Sequence, residues 1–356
     1  MSGRIIVVGL GAGDLAQLSL GVYQKLTKAK KLYLRTADHP VVADLKREGL
    51  DFETFDQVYE SLDTFDAVYK TIVERLFAEA GATEVVYAVP GHPMVAEKTV
   101  QWLLDLSDER GVPVEVSGGQ SFLDPLFTAL GIDPIEGFVF YDALDLNADD
   151  LPLDRHLVVC QVYDPIIASE VKLALLEQLP PDYEVFVVTS VGNQDESIVS
   201  MPLEDLDRKA TVNNLTSVYV PPVKDKNLLN HTFIRLRRVI RQLRGPDGCP
   251  WDREQTHESL KKYLIEEANE VIEAIEEQDD DHLIEELGDV LLQVMLHAQI
   301  GEDEGFFNIQ DVIRALTEKM IRRHPHVFGS ASAASPADVE RLWNDIKLKE
   351  KDERRD

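Results

Sequence analysis

The chain has 356 residues, 44% hydrophobic and 28% charged, with 65 Asp and Glu against 36 Lys and Arg. That length exceeds the roughly 250–300 residues at which a single core stops growing, so two domains are expected. A net charge of −29 repels nucleic-acid backbones and anionic membranes, so neither a nucleic-acid polymer nor a membrane is an expected partner.

Cys160 and Cys249 are too few for a disulfide framework or a thiolate metal site. The start "MSGRIIVVGLGAGD" lacks the charged and apolar regions of a signal peptide. No apolar run reaches the roughly 18 residues a membrane span needs. The expected location is cytoplasmic.

The first element is the apolar run "RIIVVGL", which leads into "GLGAGD". A glycine-rich turn after a strand lets a ligand approach the backbone closely. The dinucleotide fingerprint GxGxxG fails, because Asp14 stands where its third glycine belongs. On the residues alone, Gly9, Gly11 and Gly13 fit a tight turn equally well. The runs "EVVYAVP", "PVEVSG", "HLVVCQVY", "EVFVVTSV" and "TSVYVPP" follow, separated by helix-length segments. Strands interleaved with helices predict an α/β domain over residues 1–222. The Pro- and Lys-containing stretch "VPPVKDKNLLNHT" reads as a linker, placed at 223–232, and residues 233–356 show only helical periodicity.

The second half opens with "RLRRVIRQLR". Leu236, Val239, Ile240 and Leu243 give it an apolar stripe, so its five arginines read as a solvated face paired with nearby acids. His257 falls at a helix start, where capping is the simplest role. Leu264, Ile265, Ala268, Val271, Ile272 and Ile275 recur at spacings of three and four. Leu287, Val290, Leu291, Val294, Met295 and Ala298 repeat the pattern. The polar "EEQDDDH" between them predicts an antiparallel helical hairpin.

Glu267 and Glu270 are three residues apart, about 60° on the helical wheel, and Glu286 and Asp289 repeat that spacing. Each pair can point at one shared location. Four converging carboxylates repel, and hard oxygen ligands suit Mg²⁺ or Mn²⁺. The competing reading is a solvated acidic surface, which fits Glu276, Glu277, Asp279, Asp280 and Asp281. Spacing alone leaves the two even.

The flanking stretches "LRGPDGCPWDREQTHESLKKYLIEEANEVIEAI", "LIEELGDVLLQVMLHAQI" and "KMIRRHPHVFG" closely resemble the MazG family of nucleoside triphosphate pyrophosphohydrolases, over roughly residues 233–349. The family's EExxE and ExxD pattern falls on Glu266, Glu267, Glu270, Glu286 and Asp289. The resemblance implies an all-helical domain that dimerises, and hydrolysis of (d)NTPs to (d)NMP and diphosphate. A homodimer or higher homo-oligomer through this domain is the expected assembly.

By the same resemblance Lys319, Arg322, Arg323, Trp343 and Lys347 contact the nucleotide. Lys319 and Arg323 lie one helical turn apart, and Trp343 shares a face with Lys347. An acidic chain needs such local cations to hold a polyanion, and metal ions between carboxylates and phosphates would neutralise developing charge. For Trp343 the alternative is packing at a helix interface, and for Lys347 a solvated role. Glu266 either accepts a proton from the attacking water or supports the ligands from behind. His324 and His326 flank Pro325 and read as fixing a turn.

In the first half, "VVGLGAGDLAQLSLGVYQKL", "YAVPGHPMVAEKTV" and "VSGGQSFLDPLFTALGID" occur in the order seen in the tetrapyrrole (corrin/porphyrin) methylase family, and "TSVYVPP" is similar to its final strand. That family binds S-adenosylmethionine in a cleft between two α/β subdomains. Carried over, the cofactor meets Gly11, Gly13 and Asp14, then Pro90, Gly91, His92 and Met94, then Ser117, Gly118 and Ser121. Many members have Gly-Asp-Pro where this chain has Gly91-His92-Pro93, which puts methyl transfer in question. No basic cluster stands out for a polycarboxylate tetrapyrrole.

The expected function is a Mg²⁺-dependent nucleoside triphosphate pyrophosphohydrolase with an appended methylase-like domain that binds S-adenosylmethionine. The alternative is an S-adenosylmethionine-dependent methyltransferase with an ancillary MazG domain. A third reading, a non-catalytic helical interaction module, requires the carboxylate pattern to be decorative.

Overall fold

The structure is a computed structural model that describes residues 3–81 and 83–353. The chain divides into two compact units, Met1–Leu229 and Asn230–Asp356.

The first unit begins β1 (Arg4–Gly9), α1 (Leu20–Lys28), β2 (Leu32–Leu34), α2 (Pro40–Arg47), β3 (Glu53–Thr54), α3 (Asp56–Ser61), α4 (Phe65–Ala80), β4 (Glu84–Val89), α5 (Lys98–Arg110) and β5 (Val114–Val116). Its strands form one sheet in the order β3-β2-β4-β1-β5, and every pairing is parallel. Parallel strands need crossover helices, which cover both faces, so their sequences read as unbroken apolar runs. β1 shows the consequence. Ile5 and Val7 pack with Val68, Ile72 and Leu76 of α4, while Ile6 and Val8 pack with Val22 and Leu26 of α1 and Leu45 of α2.

The unit continues with α6 (Leu123–Leu130), β6 (Phe138–Asp142), β7 (His156–Cys160), α7 (Pro165–Leu176), β8 (Glu184–Thr189), β9 (Ser197–Pro202), α8 (Leu206–Lys209) and β10 (Thr216–Val220). These strands make a mixed sheet, β6-β7-β10-β8-β9. β6 runs parallel to β7, and β10 is antiparallel to both β7 and β8. Leu157, Val159, Val185, Val187 and Val218 close its core against Ile167, Val171 and Leu175 of α7.

Val223 and Leu229 are buried in that same core, and the Val223 N–H donates to the Leu153 carbonyl at 2.8 Å. The stretch expected as a linker is therefore packed on its own unit as far as Leu229, because its apolar residues find a core to join.

The second unit contains helices and no strand among the described residues: α9 (Phe233–Arg244), α10 (Pro250–Glu254), α11 (His257–Glu277), α12 (Asp280–Glu304), α13 (Ile309–Arg323), α14 (Pro325–Phe328) and α15 (Pro336–Glu353). Thr256 and Ser259 form a reciprocal capping box at the start of α11. His257 is therefore the first helical residue and not the cap. Its Nδ1 lies 2.8 Å from Nδ1 of His297. Gln278 ends α11 in the left-handed conformation, and the Asp279 side chain caps α12, so the hairpin turn is tighter than the polar stretch suggested. Ile240, Leu260, Met295, Leu296 and Ile309 form its core. The arginines of α9 pair with acids late in α12, Arg237 and Arg241 with Glu302 and Arg244 with Asp303. No helix among the described residues is long and apolar enough to cross a membrane.

Candidate functional sites

In the second unit the hairpin α11–α12 brings three of the four expected metal carboxylates together. Glu267, Glu270 and Glu286 each offer an oxygen within 4.8 Å of the other two. Asp289 stands close enough that its charge, after burial, is the largest influence raising the Glu267 carboxyl above its ordinary value. Glu286 is raised too, first by burial and then by Glu270.

Glu286 is only 8% exposed, and its Oε2 is buried with no hydrogen-bond donor. A buried acceptor left without a donor is costly, and native proteins rarely leave one unexplained. A hard divalent cation fits this all-oxygen donor set and would satisfy that atom. Glu266 is exposed and lies outside the cluster.

The five residues expected to meet nucleotide divide between α13 and α15. Lys347 Nζ sits 5.7 Å from the Trp343 ring centroid, the range of a cation–π contact. His324 packs edge-on against the same ring at 5.0 Å. Arg322 and Arg323 are already engaged. Both pair with Glu350, at 2.7 and 2.6 Å, and the two guanidinium groups hold that carboxyl down to about 2. Trp343 Nε1 and His326 Nδ1 are buried without partners. Lys319 is half-buried.

In the first unit the three expected cofactor loops leave the carboxyl ends of three adjacent strands, β4, β1 and β5, which is where open α/β sheets hold ligands. Gly11 and Gly91 form an isolated antiparallel bridge, and both take left-handed φ, +72° and +66°. Gly9 donates to the Gly118 carbonyl at 2.8 Å, and Ser117 to that of Val7 at 2.8 Å. A β-carbon on Gly9 would meet the Gly91 carbonyl oxygen at 2.2 Å, so only glycine permits this approach.

His92 Nδ1 accepts from the Met94 N–H at 3.1 Å. Its Nε2 lies 4.0 Å from where a β-carbon on Gly118 would stand, so the second and third loops meet at this ring. Asp14 accepts from the Ala16 N–H and Ser121 from the Leu123 N–H, so both side chains start the turns that follow them. Pro90 and Gly13 are small elements of the same loops, and Met94 is exposed.

Comparison with known proteins follows this division. Residues 4–207, more than half of the chain, match the family model described as tetrapyrrole (corrin/porphyrin) methylases, and residues 255–328 match the MazG nucleotide pyrophosphohydrolase domain. The chain is 58% identical to the uncharacterized protein YabN of Bacillus subtilis over 99% of this chain and 72% of that one. It belongs to the tetrapyrrole methylase family and carries a MazG domain. Over 33% of its length the chain is 60% identical to the nucleoside triphosphate pyrophosphohydrolase/pyrophosphatase MazG of Thermotoga maritima, of which it spans 45%. Among solved structures, uroporphyrin-III-C-methyltransferase from Thermus thermophilus is 24% identical with a TM-score of 0.49, covering 65% of this chain and 99% of that one.

The methylase unit also holds residues that the sequence did not single out. Asn193 donates to the Ala12 carbonyl at 2.8 Å, and Gln17 donates to that of Gly192, joining the Gly11 loop to the second sheet. Gln161 and Ser190, just past β7 and β8, take left-handed φ of +61° and +52°, which non-glycine residues adopt at a cost. Gln161 reaches Asp142 at 2.7 Å. Buried Glu97 pairs with Arg35 at 2.7 Å. The only signal for any of these was the Gly192-Asn193 turn dipeptide, because backbone strain leaves no mark in composition.

Proposed function

We propose that the chain is a divalent-metal-dependent nucleoside triphosphate pyrophosphohydrolase, converting (d)NTP and water to (d)NMP and diphosphate. The observation that carries this reading is the buried, donor-free Oε2 of Glu286 beside Glu267 and Glu270. Glu267, Glu270, Glu286 and Asp289 would hold Mg²⁺ or Mn²⁺. Bound there, the ion would supply positive charge to phosphate oxygens and favour a nucleophilic water.

The protein's own groups do the rest. Lys319, Arg322 and Arg323 hold the phosphates, with a phosphate taking the place of the Glu350 carboxylate. Trp343 offers a face for the base and Lys347 a cation beside it. Glu266, exposed next to the cluster, accepts the proton of the attacking water.

The likeness to proteins named as nucleoside triphosphate pyrophosphohydrolases supports the same substrate class. The test is to incubate the protein with each NTP and Mg²⁺ and separate the products. NMP with diphosphate is the expected pair. NDP with orthophosphate as first products would place the chain in another hydrolase class.

The acidic hairpin also supports a homodimer. Ile265, Ile272, Ile275, Ile284 and Leu287 are all more than half exposed, and a second copy of the same face would cover them. For the methylase unit we propose that the Gly11, Gly91–His92 and Ser117–Gly118 loops bind S-adenosylmethionine. Their convergence past the carboxyl ends of β1, β4 and β5 supports this, and calorimetry with that ligand tests it. No heat at millimolar concentration would remove it.

A further inference from the structure

The carboxylate of Glu286 has a close polar neighbour at one oxygen only. Its Oε1 lies 3.2 Å from Nε2 of His282, one helical turn earlier on α12, while Oε2 has no donor. His282 is itself fixed at the helix start. Its backbone N–H donates to Asp279 Oδ1 at 3.1 Å, and its Nδ1 faces Glu277 Oε2 at 3.9 Å across the hairpin turn. We propose that His282 is a positioning residue for the proposed metal centre: its Nε2 edge stands against Glu286 Oε1 at ion-pair distance and leaves Oε2 as the oxygen offered to a divalent cation. This deepens the metal reading above and rests on it.

The argument is one of geometry. A lone glutamate samples several rotamers, and a ligand must stop that motion before it can be bound. A donor four residues back along a helix is at the right distance to stop it in advance. In metal sites, groups that support a ligand from its far side are worth about 10- to 100-fold in metal affinity. His282 lies in "EEQDDDH", a stretch whose acids otherwise read as solvated charge. It is half-buried and turned toward the most buried carboxylate of the cluster.

The test uses the full chain without nucleotide and Mn²⁺ as the probe, with free Mn²⁺ followed by electron paramagnetic resonance. Removing such a support costs about 10- to 100-fold in metal affinity, so His282→Ala should raise the Mn²⁺ Kd by that factor. His282→Gln, whose amide also donates, should restore affinity to within about 3-fold. Circular dichroism checks that both variants fold.

Glu286→Gln serves as the control and should abolish binding. If it does, while His282→Ala binds as tightly as the unaltered chain, the positioning role is overturned and the metal reading stands. A loss in His282→Ala that Gln does not repair overturns it as well. Unchanged binding in Glu286→Gln overturns both.

Discussion

The two units solve the problem of apolar surface differently. In the methylase unit the central strands β1 and β4 pack apolar side chains on both faces, and both are buried from their second residue onward. In the MazG unit much of the hairpin's own apolar stripe faces outward, with Ile265 65% and Ile284 70% exposed, while Met295 and Ala298 turn into the core. Apolar sequence thus closes a core in one unit and leaves a face in the other. An apolar stripe in sequence marks what must be covered, and the topology decides whether the chain covers it alone.

Mutations separate these cases, and the proposed metal ligands should show the largest effect. Glu267→Gln or Asp289→Asn should lower diphosphate release by at least about 100-fold, beyond what loss of a supporting group costs, with the helical circular dichroism kept. Full turnover in both variants would remove the metal centre.

Next come Ile272→Glu and Leu287→Glu on the outward face. A charge there should halve the mass seen by light scattering, because two acidic faces no longer associate. An unchanged mass would mean that the face is not the interface. In the methylase unit, Gly9→Ala forces a β-carbon onto the Gly91 carbonyl and should cost about 1–3 kcal/mol, the usual range for overpacking. Chemical denaturation should detect it as a lowered midpoint.

The smallest effect is pH-dependent. Glu267 and Glu286 hold their protons more tightly in the fold than the ordinary value of 4.5. For an acid so raised the folded chain binds the extra proton, so its stabilisation is present below 4.5 and is lost as pH rises through the raised values. Relative to a Glu267→Gln, Glu286→Gln double variant, the metal-free protein should therefore lose melting temperature between pH 4.5 and neutrality. Mn²⁺ should restore it. A difference that stays flat with pH would show that neither burial nor mutual repulsion raises these carboxylates.

Much of the fold was legible because its signals are local. The runs at β1, β4, β5, β7, β8 and β10 announce themselves as strands, whereas β2 and β3, three and two residues long, were not read. β9 alternates mostly exposed residues around Met201, as an edge strand does. At the candidate metal site, spacing showed that Glu267 with Glu270, and Glu286 with Asp289, could each point at one shared location. It could not show that Glu286 is the buried member, since burial depends on how α11 lies on α12. Nor could it show that Arg322 and Arg323 are engaged by Glu350, because that pairing joins residues 28 and 27 positions apart.

Glu350 gives that arginine pair a resident anion. A group tethered to the same chain competes at an effective concentration on the order of millimolar or more, so a phosphate entering here exchanges one counterion for another. Its apparent affinity falls by the fraction of time the arginines stand free. With the carboxyl held near 2, mild acidification does not release it; on the proposed function, a more highly charged rival would. Weak monoanions would be turned away while a polyphosphate would not, a threshold for entry set by an acid the chain supplies itself.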